Sequence, residues 1–416
     1  MRLIRYLLTF FLAGALGLFS FSAIAATTNV RAGGSCPKIG ETVVQKSLTY
    51  TCTKSGKRLI WSKGVPVAPI APIAPTVAKD LVLTTPSYTP TPPNGGSDEY
   101  RCFLLNPKFI KETYLKSVTI TPDNMAVSHH GILYRVPSMS VSTTETLDAK
   151  STEPGWPCFG DTGIPGATAF SPASPSSWIS FWAPGGNFKS YPTGTGMKFN
   201  TGDQFVLQSH FMVLPGSTEI EKKASMKITI EYASNSVAEL KTMLVAAPIE
   251  VPCATSESGP LCNRDAALAD LAKRTSAKAA LQETALLFTC GKNALKPIPS
   301  SVSDCSQRVN SGMKIYGATP HMHQLGKSVT VTYFNGVTGE KTILATRPQW
   351  NFDDQRTDWL ATPITAQIGD RVSITCTYDV GLRSLLPIYK NLSPNYVVWG
   401  EGTRDEMCLA IINYTD

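Results

Sequence analysis

The chain has 416 residues, of which 42% are hydrophobic, 9% aromatic and 17% charged. That composition excludes an intrinsically disordered polypeptide and leaves room for more than one hydrophobic core. The formal net charge of +7 is unevenly spread: residues 26–64 hold seven Lys/Arg against one acid, Glu41, whereas residues 65–416 hold 29 basic against 30 acidic groups. A near-neutral body lacks the basic footprint of a nucleic-acid reader, so no nucleic-acid partner is expected.

The first 25 residues contain Arg2 and Arg5, then a long apolar run ending in Ala23-Ile24-Ala25. This is the charge, core and small-residue pattern of a secretory signal, which would make the mature chain begin at Ala26 and the protein secreted or resident in the cell envelope. A signal anchor is the alternative. No later segment approaches the roughly 20 apolar residues that span a bilayer. In an exported chain, the ten cysteines at 36, 52, 102, 158, 253, 262, 290, 305, 376 and 408 read as disulfides, and none lies in a Cys-x-x-Cys pattern. Cys36 and Cys52 suggest a local bridge in a small basic β-rich module over residues 26–64, a size that needs such a staple. The module reads either as an attachment to an anionic surface, such as wall polymer or lipid headgroups, or as a solvated spacer. Recurring proline over residues 65–97 predicts a semi-rigid extended linker.

From Asp98 onward the pattern is short and alternating, as in "SVTITP" (117–122), "QFVLQSHFMVL" (204–214), "MKITIEYA" (226–233), "SVTVTYF" (328–334) and "RVSITCTYD" (371–379). Gly, Pro, Asn and Asp punctuate these runs. The expectation is an all-β fold of antiparallel β-sandwich type, divided into residues 98–235 and 236–416. One stretch departs from it: "RDAALADLAKRTSAKAALQETALLF" (264–288) has no internal Gly or Pro and reads as a helical insertion in the second sandwich.

The chain contains only five histidines: the adjacent pair His129 and His130, the single His210, and His321 and His323 on either side of Met322. Alternation on a strand puts His321 and His323 on one face, at a separation that suits one metal ion, and turns Met322 into the core. Neighbouring His129 and His130 can share a metal only at a bulge or strand end, for which Gly131 is a suitable place. His210 shares a face with Val206, Gln208, Met212 and Leu214, and on so apolar a face a histidine is more often a satisfied core residue than a ligand. Met407, Leu409 and Ile411 alternate as core residues would.

The order His129-His130, "LQSH" ending at His210, "HMHQLGK" with His321 and His323, and "DEMC" with Met407 and Cys408 resembles the copper type II ascorbate-dependent monooxygenases, the family of dopamine β-monooxygenase and peptidylglycine α-hydroxylating monooxygenase. The resemblance spans roughly residues 98–416. It implies two copper ions on two jelly-roll-like sandwiches: one held by His129, His130 and His210 for electron transfer, the other by His321, His323 and Met407 as the hydroxylating centre, with the electron crossing a cleft between domains. A thioether favours Cu(I), whereas three histidines alone would serve zinc equally well, so Met407 is the discriminating residue. Ascorbate or another reductant would supply the electrons, and Gln208 would line the route between centres. The family also implies a Cys376–Cys408 bridge beside Met407. Cys102 matches a family position whose usual partner is missing, and Cys158 is proposed in its place; Cys253–Cys262 and Cys290–Cys305 are suggested by proximity.

The peptide-hydroxylating branch binds a carboxylate with an arginine, an asparagine and a tyrosine at positions that here are Thr319, Leu409 and Ile411. An apolar, uncharged pocket for a small or elongated, largely apolar substrate is expected instead, with Asp353 and Asp354 as the acids able to reach the cleft. Three functions remain open: a secreted dicopper monooxygenase, a non-catalytic copper-binding cell-surface β-sandwich protein, and a zinc hydrolase. The last would need a base beside His321 and His323, and Glu340 and Asp353 have no recognisable spacing for it.

Overall fold

A computed structural model describes residues 30–66, 80–93, 96–167, 174–186, 190–213, 218, 222–233, 237–389 and 392–416. The expected signal, residues 1–25, lies outside the described residues, as does 67–79 of the expected linker. The chain divides into two compact units, Met1–Thr76 and Val77–Asp416.

In the first unit, β1 (Thr42–Gln45), β2 (Leu48–Ser55), β3 (Arg58–Trp61) and β4 (Val65–Pro66) form one antiparallel sheet. Lys46 and Ser47 both take positive φ, 49° and 60°, as a two-residue hairpin turn between twisted strands requires. The Cys36–Cys52 disulfide and Trp61 supply a core too small to suffice alone. All seven basic side chains are exposed. The module runs past residue 64, because Thr49 and Leu48 pair with Val65 and Pro66.

The described residues of the second unit form four sheets. The first sandwich takes in order β5 (Leu81–Thr84), β6 (Asp98–Leu105), β7 (Thr113–Pro122), β8 (Ser128–Val136), the helix α1 (Val141–Ala149), β9 (Trp156–Pro157), β10 (Ser177–Trp182), β11 (Thr195–Phe199), β12 (Gln204–Met212), β13 (Met226–Tyr232) and β14 (Ala238–Glu239). Its sheets have the orders β10-β8-β12-β6-β9 and β14-β11-β7-β13-β5. Two expected boundaries are corrected here. Leu81–Thr84, assigned to the linker, pairs with β13 because its alternating Leu and Val side chains fit that edge, and Ala238–Glu239, assigned to the second sandwich, closes the other edge against β11.

The second sandwich comprises β15 (Lys241–Ala246), helices α2 (Arg264–Arg274) and α3 (Ala277–Thr289), then β16 (Val302–Arg308), β17 (Met313–His321), β18 (Gly326–Phe334), β19 (Lys341–Arg347), β20 (Asp358–Ala366), β21 (Arg371–Tyr378) and β22 (Leu409–Thr415). Its sheets have the orders β15-β22-β17-β20 and β16-β21-β18-β19. The fold is thus all-β, with several antiparallel sheets and few helices. The helical insertion is two helices rather than one: Ser276 leaves helical geometry and its side chain accepts from Ala279 N–H, starting a second helix. The five disulfides are Cys36–Cys52, Cys102–Cys158, Cys253–Cys262, Cys290–Cys305 and Cys376–Cys408, the pairs that order, resemblance and proximity suggested. No helix among the described residues is long and apolar enough to cross a membrane.

Strand alternation decides what faces what. On β12, Phe205 and Leu207 enter the core between the two sheets of the first sandwich, while Val206, Gln208 and His210 face the other way. That outer face meets the sheet of β17 and β22, so a cavity between them is lined by His130, Phe181, His321 and Leu409 together. The seam is tight: Thr242 Oγ1 donates to the Trp178 carbonyl at 2.8 Å. Gly185, with φ +72°, has its missing Cβ position only 1.4 Å from the Asp353 carbonyl oxygen, so no side chain fits there.

Candidate metal centre

His210 and His130 are directly opposed on β12 and β8, and the register then slips so that Phe211 faces Ser128. His129 is the extra residue of this bulge, which swings its ring to the side its neighbour already occupies. The irregularity therefore falls at His129 rather than at Gly131, which pairs regularly with Ser209. The outcome is three converging imidazoles, all buried. His130 Nδ1 lies 3.4 Å from His129 Nδ1 and 3.3 Å from His210 Nδ1, a spacing that suits three donors about 2 Å from one metal ion.

Protonation supports the same conclusion. Burial holds His129 and His130 well below the ordinary histidine range, and the neighbouring His210 pushes in the same direction, so both are neutral with a lone pair to offer. His210 Nε2 is 2.8 Å from Asp98 Oδ1. Burial would raise the Asp98 pKa, but the bond to and charge of His210, with bonds from Thr403 and Ser97, hold it well below the usual carboxylate range.

The second set stands where β17 ends. His321 and His323 have ring centroids 5.3 Å apart, and Met322 between them is fully buried in the core as alternation requires. His321 Nδ1 is 2.5 Å from Gln355 Oε1 and His323 Nδ1 is 2.9 Å from the Asp405 carbonyl. Both acceptors demand a proton on Nδ1, so each ring is left with its lone pair on Nε2. Burial pushes His321 down to about 4, against the upward pull of Gln355, and burial followed by the neighbouring His321 pushes His323 down to about 3. His323 Nε2 is buried and has no hydrogen-bond partner among the described residues, an unmet demand that a metal ion would satisfy. Met407 lines the same cavity as His321. The next residue, Cys408, is bridged to Cys376 of β21, and Glu406 accepts from the backbone N–H of His323 at 2.8 Å and of Leu325 at 2.6 Å.

The two sets adjoin. The rings of His129 and His323 are 6.3 Å apart, and Phe352 packs 5.3 Å from His129. At this seam the two sandwiches touch, with Gly185 against Asp353 and Asp98 against Thr403. Gln208 lies two residues before His210 on its face, but its amide nitrogen donates to the Asp161 carbonyl at 3.1 Å. Thr319 and Ile411 line a neighbouring cavity of about 350 Å³, and Leu409 and Ile411 line the one at Met407. The loop that was to bring acids there brings Gln355 and Arg356, while Asp354 turns to ion pairs with Arg356 and Arg347.

Several residues around these sets escaped sequence reasoning. Asp98, Tyr100 and Gln355 lie in no quoted motif, and Asp405, although it opens "DEMC", was not singled out; all four make contacts distant in sequence. Glu401 is a carboxylate on the cavity at Met407, pushed up to about 7 by burial; its place between Gly400 and Gly402 gave no signal.

These features define a β-sandwich protein with two adjoining sets of candidate metal ligands. Residues 300–416 match the model of the copper type II ascorbate-dependent monooxygenase C-terminal domain, a match that supports that family for this part of the chain. Among solved structures, a Paenibacillus xanthan lyase is similar at 10% identity over 93% of this chain, with a TM-score of 0.18. The present chain spans 32% of the length of that lyase. Procruciferin, an 11S globulin from Brassica napus, is similar at 10% identity over 77% of each chain, with a TM-score of 0.13. Likenesses so slight carry no argument about fold or function.

Proposed function

We propose that the protein is an exported dicopper monooxygenase that inserts one oxygen atom of dioxygen into a substrate C–H bond, using ascorbate or another external reductant. The family of residues 300–416 supports copper and ascorbate dependence. The observation that carries the two-centre reading is the paired chemistry of the histidines: His130 Nδ1 at 3.4 Å from His129 Nδ1 and 3.3 Å from His210 Nδ1 in one set, and two Nε2 lone pairs in the set whose cavity Met407 lines. Under this reading His129, His130 and His210 hold one copper, and His321, His323 and Met407 the other. Bound copper would supply one-electron storage at the first set and dioxygen chemistry at the second, where a soft thioether favours Cu(I).

The chain's own residues then have definite tasks. Gln355 and the Asp405 carbonyl hold the His321 and His323 rings with Nε2 forward, and Asp98 holds His210 with Nδ1 forward. The cavity at Met407, about 20 Å³ and walled by Ile132, Trp178, Phe181, Leu409 and Ile411, excludes bulk water. Thr319, Leu409 and Ile411 orient a largely apolar substrate, and the adjoining cavity of about 350 Å³ gives it room. The exposed basic residues of the N-terminal module provide contact with an anionic surface.

The test is oxygen uptake by the purified chain loaded with copper and given ascorbate. Reductant-dependent uptake with two coppers per chain is expected; copper binding without uptake would favour a non-catalytic copper protein, and zinc at a single site would refute the reading.

A further inference from the structure

Asp98, the first residue of β6, stands at a junction between the two sandwiches. Its Oδ1 lies 2.8 Å from His210 Nε2 and accepts from the Thr403 hydroxyl at 2.7 Å and from the Thr403 backbone N–H at 3.3 Å, while Oδ2 accepts from the Ser97 hydroxyl at 2.8 Å. An ionised carboxylate only accepts, so His210 must be the donor and its proton is fixed on Nε2. With Nε2 turned to Asp98, the nitrogen turned towards the other histidines is Nδ1, the atom that stands 3.3 Å from His130 Nδ1. Two residues along β6 and on the same face, Tyr100 stacks on the His210 ring, with centroids 4.1 Å apart and planes 14° from parallel. The Tyr100 hydroxyl donates to the Glu401 carbonyl. His210 is therefore held at its edge by Asp98 and on its face by Tyr100, and both holds reach the segment 401–403, four residues short of Met407.

We infer that Asp98 is a positioning residue for the first metal set: it sets the tautomer of His210 and, by accepting from Thr403 with the same oxygen, ties that ring to the segment that carries Met407 in the other sandwich. The inference rests on the reading of His129, His130 and His210 as copper ligands. Nothing in the family match reaches Asp98, which lies outside residues 300–416.

Copper affinity of the full chain, measured by competition with a chromophoric chelator, together with the Cu(II) EPR spectrum and reduction potential of the first set, tests the inference. Asp98→Asn keeps the shape and one acceptor oxygen but loses the charge; first-set affinity should fall about 10-fold, and about 100-fold in Asp98→Ala, with second-set affinity unchanged. Asp98→Glu should recover part of the loss. Removing the negative charge behind the ring should raise the reduction potential of the first set, an effect that a merely structural role would not produce. Thr403→Val should also weaken the first set, although Thr403 belongs to the other sandwich. Where Asp98→Ala fails to fold, the isosteric Asp98→Asn decides. Unchanged affinity, spectrum and potential in Asp98→Asn would overturn the role of Asp98, and an unchanged first set in Thr403→Val would overturn the tie between sandwiches. A wild-type chain that leaves the first set empty of copper would instead overturn the ligand reading itself.

Discussion

The first histidine set sits in the middle of a sheet, on paired strands β8 and β12, with a carboxylate behind His210. The second sits where β17 runs out into a loop, and its two rings are backed by a side-chain amide and a main-chain carbonyl. This difference in backing decides which nitrogen each ring presents: Nδ1 for His210, Nε2 for His321 and His323. It also separates the sets electrically. With copper bound as proposed, a negative charge behind the first set would stabilise the more oxidised metal, whereas neutral partners and a thioether at the second would favour the reduced one. The sheet supports the first set directly, while the loop of the second needs bracing from elsewhere.

That bracing comes from the helical insertion, and removing it gives the largest expected effect. Arg274, at the end of α2, pairs with the buried Asp405 at 2.8 Å and with Asp270 at 2.7 Å. Arg274→Ala leaves the Asp405 charge buried and unpaired, so a loss of about 3–5 kcal/mol in chemical denaturation is expected. Copper affinity at the second set should fall with it, because the Asp405 carbonyl holds His323; equal weakening of both sets would break the distinction drawn here.

Acid provides the next test, on the metal-free protein. A histidine neutral in the fold but near 6.5 when unfolded leaves the unfolded state binding more protons between the two values, so stability rises with pH across that window. For His321, held down to about 4, the stability is fully present above about 6.5 and is lost as pH falls towards 4, by about 3 kcal/mol. Urea midpoints at pH 7 and pH 4, for the wild type and for His321→Phe, measure it. An equal pH dependence in the variant would contradict the assignment.

The smallest effect sharpens the comparison most. Gln355→Leu removes the acceptor behind His321 without touching a ligand, and should cost the second set about 10-fold in copper affinity while the first is unchanged. Chelator competition followed separately at the two sets would detect it.

The candidate ligands stood out in the sequence because histidine is scarce in it and because their order resembles that of a known family. The adjacency of His129 and His130 also demanded an irregular strand, since regular alternation would part them; only the position of the bulge was misjudged. The burial of Met322 followed from the same alternation. What stayed hidden was everything set by contacts across the seam. Asp98 reaches His210 from 112 residues away, and Asp405 accepts from a ring 82 residues earlier. No local pattern encodes such pairs. Short edge strands were missed for a different reason: Leu81–Thr84 lies among prolines, and Ala238–Glu239 is too short for alternation to register. The break between α2 and α3 was signalled by Ser276, but an uninterrupted run of good helix formers on both sides outweighed a single capping residue. The contact between the sandwiches depends on how two outer sheet faces meet, which periodicity within each strand does not specify.

The central claim is that His321, His323 and Met407 form a sulfur-containing copper centre distinct from an all-histidine one. X-ray absorption on the Cu(I)-loaded chain, with copper counted per protein, tests it most directly. Two coppers and a copper–sulfur contribution in the wild type, with Met407→Ala losing the sulfur contribution and one copper while the fold persists, is the result expected. A wild-type spectrum without sulfur, or a Met407→Ala chain that keeps both coppers and the same spectrum, would contradict the account.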